Sequence, residues 1–555
     1  MTIVKVDVRA LVGDGVKLAE RAGEEAYYAA FLLRAGVVRP ELPHRAAQIA
    51  VAFERFGMLA GIVAIGAIRT GDRVAIRDEL GEISYQELDQ RTNALANAWR
   101  EQGLKPADGV TILARNHRGL IEAVFAAAKC GARIVLLNTS FAGPQIREVA
   151  GRERTDLLVY DDEYSSTLEG IDPPHGRWRA WTEPSEAEAT DTLEALIERG
   201  SRRAPPKPRS GPKLVILTSG TTGTPKGAPR SEPRSLALIG GLLSKVPFRA
   251  REVTELCVPM FHALGVAHMA LGLALGSTLV IRRRFEPEQT LASIERNRAT
   301  ALVVVPVMVQ RILDLDDDVL AAHDTSSLRI VFVGGSQFGV ELARRALRAF
   351  GPVVYNLYGS TEVSYATIAT PDDLRDAPGT VGGVVRGAIV KILDDDGEEV
   401  PAGATGRIFV GNAGQFEGYT GGGGKEQIRG LMSSGDVGHF DDRGRLYIDG
   451  RDDDMIVSGG ENVFPGEIEE LLAAHEAIEE VAAIGVPDEQ FGQRLRAFVV
   501  VRDGKRVTED DVKGYVKANL ANYKTPREVV FVDELPRNST GKVLKRELAG
   551  MSEGG

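Results

Sequence analysis

Apolar and polar positions change period repeatedly along this chain. From Arg73 the run VAIRD reads as a short strand, and ISYQELDQRTNALANAWREQG as a turn, a strand edge and an amphipathic helix. VTILARNHRGLIEAVFAAAKCGARIVLLN continues as strand, helix, strand. A second alternation runs through TALVVVPVMVQRIL, LRIVFVGG and VVYNLYGSTE. Strands separated by helical patterns of this length predict an α/β protein with covered parallel or mixed sheets. After Gly450 the texture changes. EIEELLAAH, VAAIGV, LRAFVVV, VTEDDVKGYVKANL and REVVFV form a compact α/β tail joined through the charged stretch GRDDD. The expected organisation is therefore a mainly helical segment over 1–70, a large domain over 71–451 and a small domain over 452–555. A Pro- and Arg-rich linker, SRRAPPKPRSGPK, starts at Ser201 inside the large domain.

Two apolar stretches bear on membranes. FGMLAGIVAIGAI, Phe56 to Ile68, is 13 residues, short of the roughly 20 needed to cross a bilayer. Val258 to Ile281 is uncharged but contains Pro259, His262, His268 and three glycines. It reads as a loop, a buried helix from about Val266, a stop at Gly276 and a strand ending at Ile281. The Tyr27–Ile68 region is expected to pack on the body, with peripheral contact to a membrane surface as the alternative. The N-terminus, MTIVKVDVRALVGDG, lacks the apolar core of a signal peptide, and the cytoplasm is the expected location.

Composition removes several function classes. At 555 residues the chain exceeds a single core. A net charge of -11 argues against nucleic acid as the main partner. Cys130 and Cys257 are the only cysteines, and no HExxH or Cys/His cluster occurs, so neither a disulfide framework nor a transition-metal site is indicated. Nothing in the pattern fixes an oligomeric state.

Residues 218–227, TSGTTGTPKG, follow the strand-like run Leu214–Leu217 with three glycines, four threonines, a serine and one lysine. Glycine lets backbone N–H groups approach a ligand, hydroxyls add donors, and lysine adds a point charge. That inventory suits a polyphosphate, although GTTGTPKG departs from P-loop spacing. The same residues would also make an ordinary surface turn.

Further motifs follow in order: YGSTE (358–362), SGD (434–436), GRDDDMIVSGGENVFPGEIE (450–469) and NSTGKVLKREL (538–548). Together with TSGTTGTPKG they resemble the adenylate-forming superfamily of acyl-CoA synthetases, luciferases and peptide-synthetase adenylation domains, over roughly residues 70–550. The resemblance implies a large N-terminal domain, a small rotating C-terminal domain and two half-reactions. ATP and a carboxylate give an acyl-adenylate and pyrophosphate; a thiol, here coenzyme A, then displaces AMP. Such catalysis is mostly positioning and charge neutralisation.

By the same resemblance, Thr218, Ser219, Gly220, Thr221, Thr222, Gly223 and Lys226 fold over the β- and γ-phosphates. Glu362 holds Mg²⁺ and Thr361 donates to the α-phosphate. Tyr358, Gly359 and Ser360 belong to the same nucleotide site, with Tyr358 offering a ring to the base. Gly334, Gly335 and Ser336 let adenine lie against backbone. Asp436 accepts the ribose hydroxyls, and Arg451 adds a ribose or phosphate contact. His262, in PMFHALG, matches a position near the carboxylate and thiol tunnel. Lys542 reaches across to the carboxylate and α-phosphate during adenylation, and Asp453 is the pivot of domain rotation. Ser458, Gly459 and Gly460 line the pantetheine path, and Lys524 is a further candidate for contact with AMP or the thiol. Wording and N-terminal length look most like a medium- to long-chain fatty-acyl-CoA ligase, with aryl or small branched acids, a carrier-protein thiol, or a catalytically silent nucleotide-binding protein as alternatives.

Three stretches depart from the family pattern. APRSEPR follows PKG where a Val and a later Thr/Ser-His are usual, GGSQFG lacks a proline, and GYTGGGGKEQI replaces a motif carrying Asn/Asp, Pro and Thr.

Overall fold

The computed structural model describes residues 8–182, 190–218, 225–231, 235–336, 338–394, 396–451, 456–458, 461–463, 465–488, 490–536, 543, 545–549 and 551. Ahead of the large domain, α1 spans Val8–Ala35 and α2 spans Pro43–Thr70. The large domain then supplies α3 (Tyr85–Glu101), α4 (Arg118–Cys130), α5 (Gly143–Arg152), α6 (Leu193–Arg199), α7 (Ala237–Lys245) and α8 (Ala263–Ala274). Ser84 caps α3, accepting from the Glu87 amide, and a left-handed Gly131 closes α4.

Two sheets form the large domain. The six-stranded one runs Arg177–Trp181, Thr155–Asp161, Gly109–Leu113, Arg133–Leu136, Lys213–Thr218, Lys226–Arg230, parallel except for the last pair. The fourteen-stranded one has a parallel centre through Val253–Leu256, Ala301–Val304, Ile330–Gly334 and Val354–Ser360. Its antiparallel flank carries Ser364–Ala369, Leu431–Phe440 and Arg445–Arg451. Their shared core joins Trp99, Phe125, Ile134, Phe332 and Ile368, all fully buried. Burying helices on parallel strands is why these strands read as unbroken apolar runs.

The C-terminal sheet is ordered Glu461–Val463, Ile456–Ser458, Gly492–Val501, Ile478–Asp488, with Glu528–Phe531 parallel to Gly492–Val501. The helix Pro465–Ala473 starts at the proline, whose missing N–H is one of the unpaired donors at a helix start in any case. Ala521 of this domain is fully buried among Phe141, Ile146 and Val149 of the large one.

Two expectations shift. The apolar stretch 56–68 belongs to a 28-residue helix that passes Gly57, whose φ of 72° marks a kink; the flanking polar positions did not end it. α2 is the one described helix long and apolar enough to span a membrane by length and composition, and part of it is buried against the body. Likewise α8 starts at Ala263, three residues before the expected Val266, because His262 is already in extended backbone and Ala263–Leu264 continue the apolar face.

Candidate active site

The phosphate-loop candidate closes a hairpin in which Thr218 pairs opposite Lys226. Ser219, Gly220, Thr221, Thr222 and Gly223 lie outside the described residues. Thr218 is buried and its Oγ1 lies 3.5 Å from the Lys226 carbonyl. The Lys226 ammonium sits over the Tyr419 ring, 5.3 Å from its centroid. Thr420, from the divergent GYTGGGGKEQI stretch, accepts from the Gly227 amide at 3.1 Å and donates to Glu153. The loop that departs from the family pattern thus braces the base of the phosphate hairpin.

YGSTE forms the turn of a second hairpin, Val354–Ser360 against Ser364–Ala369. Gly359 is required there, since a Cβ would fall 2.0 Å from the Ser364 carbonyl oxygen. Ser360 Oγ and Tyr419 OH each donate to Glu362 at 2.9 Å. Glu362 is largely buried. Among the described residues no group of three or more His, Cys, Asp or Glu could hold a metal. One fixed carboxylate fits Mg²⁺, which keeps waters and takes ligands from substrate phosphates.

Arg230, overlooked in the sequence, enters between these hairpins. Its guanidinium donates to the Thr361 carbonyl, and its buried Nε has no partner among the described residues. Burial lowers its pKa, against the pull of Glu362. The visible signal was APRSEPR, a stretch that departs from the family pattern and contains this arginine.

The ribose candidates come together on the sheet flank. Asp436 faces Arg451 across the Leu431–Phe440 and Arg445–Arg451 pair. Tyr358 OH donates to Asp436 Oδ2 at 2.6 Å. Gly334 ends its strand, and Gly335 turns at a φ of 97° before Ser336.

His262 precedes α8, and its Nε2 lies 3.0 Å from Glu461 Oε1 at the tip of the C-terminal hairpin Ile456–Ser458/Glu461–Val463. Asn138 Nδ2 reaches both Glu461 oxygens at 3.4 Å. Burial opposes the His262 charge, but Glu461 outweighs it and raises the pKa. Burial likewise opposes ionisation of Glu461, yet His262, Asn138 and Lys524 hold its carboxyl below the usual range. Below this pair, the fully buried Lys524 is ion-paired with Glu467, to which Gln145 donates at 3.1 Å. The Lys524 ammonium is therefore engaged by Glu467 in this arrangement. Glu461 and Asn138 were not singled out from sequence. A glutamate after two glycines was visible in SGGEN, but its partner lies 199 residues away.

A cavity of about 1750 Å³ unites much of this. Thr218, Arg230, His262, Gly335, Ser336, Tyr358, Gly359, Ser360, Thr361, Asp436 and Glu461 line it. Gly334, Lys226, Glu362, Ser458 and Lys524 do not line it. Lys542, Asp453, Gly459 and Gly460, and the Arg451 side chain, lie outside what is described. Apolar side chains of α2 and α8, and His268, line the same cavity. There His268 Nδ1 donates to the Leu264 carbonyl at 2.9 Å, leaving a buried Nε2 with no described partner. Burial lowers the His268 pKa to about 4, so Nε2 is a bare acceptor at neutral pH.

A large mixed-sheet domain, a small domain with its own sheet and a cavity lined by residues of both are the arrangement of an adenylate-forming enzyme. The chain belongs to the AMP-binding enzyme family, whose model matches residues 65–420, and the AMP-binding enzyme C-terminal domain matches 467–542. It is 32% identical to an indoleacetate–CoA ligase of Aromatoleum aromaticum, over 86% of this chain and 94% of that protein. It is 28% identical to a fatty acid–[acyl-carrier-protein] ligase of Streptomyces coeruleorubidus, over 84% of this chain and 91% of that protein. Its fold matches the amide bond synthetase McbA of Marinactinospora thermotolerans with a TM-score of 0.79 at 27% identity, covering 89% of this chain and 99% of that one.

Proposed function

We propose that the protein is an AMP-forming acid–CoA ligase for a medium- to long-chain fatty acid. The observation that carries this reading is one continuous cavity. Its polar end holds Asp436, Tyr358, Thr361 and Arg230, its waist is the His262–Glu461 pair, and its far end is apolar. A carboxylate held at the waist faces the α-phosphate. Its oxygen attacks phosphorus, the bond to pyrophosphate breaks, and the acyl-adenylate forms. Asp436 accepts from the ribose hydroxyls, while Thr361, Arg230 and the 218–227 loop neutralise phosphate charge. Mg²⁺, held through Glu362, would supply further charge neutralisation on the phosphates. In this reading Lys542 completes the adenylation site. Rotation about Asp453 then replaces it with the Ser458–Glu461 segment, along which the thiol of CoA enters, attacks the acyl carbon and expels AMP.

The docking of Glu461 on His262 supports assigning the present arrangement to thiol transfer, because that contact puts the 456–463 hairpin at the waist. A second reading, an aromatic or hydroxylated acid, is favoured by the unpartnered His268 Nε2, which would accept from a ring N–H or hydroxyl. The deciding experiment measures pyrophosphate release and thioester formation with CoA across alkanoic acids of increasing length, beside indole- and hydroxyaryl-substituted acids. Acid-dependent pyrophosphate release without thioester, and rescue by a phosphopantetheinylated carrier protein, would reassign the acceptor. No acid-dependent pyrophosphate release at all would overturn the proposal.

A further inference from the structure

α2 is apolar on two faces, and only one of them serves the core. Phe56, Ala60, Val63 and Ala64 are buried against α3, α4 and α8. Close approach is helped by Gly66, where a Cβ would lie 2.4 Å from the Tyr85 ring. The other face presents Met58, Leu59, Ile62 and Ile65, spaced three and four residues apart, to the cavity. They are only half-buried. Opposite lie Ala263, Ala267, Ala270 and Ala274 on one face of α8, also lining the cavity. Ala267 is exposed although it sits inside this wall. Large side chains on one wall and alanines on the other line a slot beside the α2–α8 contact.

The ends of the slot orient its occupant. Arg69 also lines the cavity, but its guanidinium is ion-paired with Glu41 at 2.9 Å and donates to the Val37 carbonyl at 2.7 Å. That charge is therefore spent, and a carboxylate belongs at the other end, by His262 and Thr361. Uncovered apolar surface costs about 25 cal/mol per Å², which an apolar chain laid along the slot would recover. The α8 face from Ala263 to Ala274 extends about 16 Å at 1.5 Å per residue, roughly an extended chain of a dozen carbons.

We infer that α2, most of it ahead of the family-matched stretch, is the specificity wall of the acid site: residues Met58–Ile65 contact the aliphatic chain and set the length accepted. This deepens the ligase reading and rests on it for turnover, but not for binding. The test uses the full chain with Ile62→Trp and, from the opposite wall, Ala267→Phe. Hexadecanoate and hexanoate binding are measured calorimetrically without ATP or CoA, and kcat/KM for both acids is measured by pyrophosphate release. In each variant hexadecanoate affinity should fall at least tenfold, the hexadecanoate-to-hexanoate ratio of kcat/KM should fall by a similar factor, and ATP affinity should hold. Ile62→Ala, which opens the slot, should move the preferred length upward and covers the case in which tryptophan prevents folding. Equal changes at both lengths, no change in either, or no binding of hexadecanoate to the unmodified protein would overturn the inference. Wall-sensitive hexadecanoate binding with no acid turned over would retain the slot and remove the ligase reading. Turnover insensitive to both walls would do the reverse.

Discussion

Replacing Glu461 by glutamine isolates the contact between the two domains. The amide keeps the volume and can still accept from Asn138, but the charge facing His262 disappears. An exposed ion pair contributes about 0.2–1 kcal/mol and a hydrogen bond to a charged group about 1.5–3 kcal/mol. With side chains 33% and 23% exposed, this pair should contribute about 1–2 kcal/mol to docking, or roughly 5–30-fold in that equilibrium. The loss should fall on thiol transfer. In single-turnover assays, consumption of preformed acyl-adenylate by CoA should slow several-fold, while pyrophosphate release in the first half-reaction holds. The pH dependence adds a sign. His262 has a raised pKa, so its contribution is complete below the ordinary histidine value near 6.5 and fades as pH rises through the raised value. Glu461 has a lowered pKa, so its contribution is complete above the ordinary value near 4.3 and fades as pH falls through the lowered one. The ratio of native to variant rate should therefore be largest between the ordinary carboxylate and histidine values, about pH 4.3–6.5, and shrink as pH rises through the raised His262 value; taking the ratio cancels the rising thiolate fraction of CoA. Equal slowing of both half-reactions, or a ratio that is flat in pH, would refute the reasoning.

Arg230→Met should lower adenylation by about 10–10²-fold, the scale of losing one charged donor, and Arg230→Lys should not restore it, because an ammonium lacks the planar fork; unchanged KM values for ATP and acid with only a lower Tm would make Arg230 a scaffold residue. Glu362→Gln should weaken use of Mg²⁺-ATP with partial recovery at raised Mg²⁺, and an unchanged Mg²⁺ titration would count against a metal role. Lys542→Ala should slow adenylation by roughly 10²–10³-fold while sparing thiol transfer to synthetic acyl-adenylate; equal loss in both would remove its assignment.

Legibility followed sequence distance. Strand–helix alternation gave the α/β class because each element declares its own period, and motifs within a hairpin, such as YGSTE, gave sites whose parts are neighbours in the chain. Asp436 and Tyr358 were each chosen from their motifs, yet the hydrogen bond between them depends on the order of strands in the fourteen-stranded sheet, which periodicity does not encode. Glu461 was missed for the same reason in stronger form. Its meaning lies in His262 and Asn138, residues of another domain. Lys524 was chosen as a lysine beside the expected thiol path, and the fold adds a partner that its motif does not show: Glu467, to which Gln145 of the large domain also donates.

α2 carries more apolar surface than its packing on the body covers. Counting residues 56–68 alone made the stretch too short to span, and counting the whole helix makes it long enough; neither count says what the second apolar face meets. Burial does. Phe56, Ala60 and Val63 are at most 4% exposed, and the half-buried Met58, Leu59, Ile62 and Ile65 face a cavity whose polar end carries the nucleotide candidates. An apolar face that lines the continuation of a catalytic cleft is selected by what the cleft must hold. On the inference drawn for α2, the N-terminal helix and the family motifs are two ends of one site, and the length of acid accepted is decided at the end that the motifs do not reach.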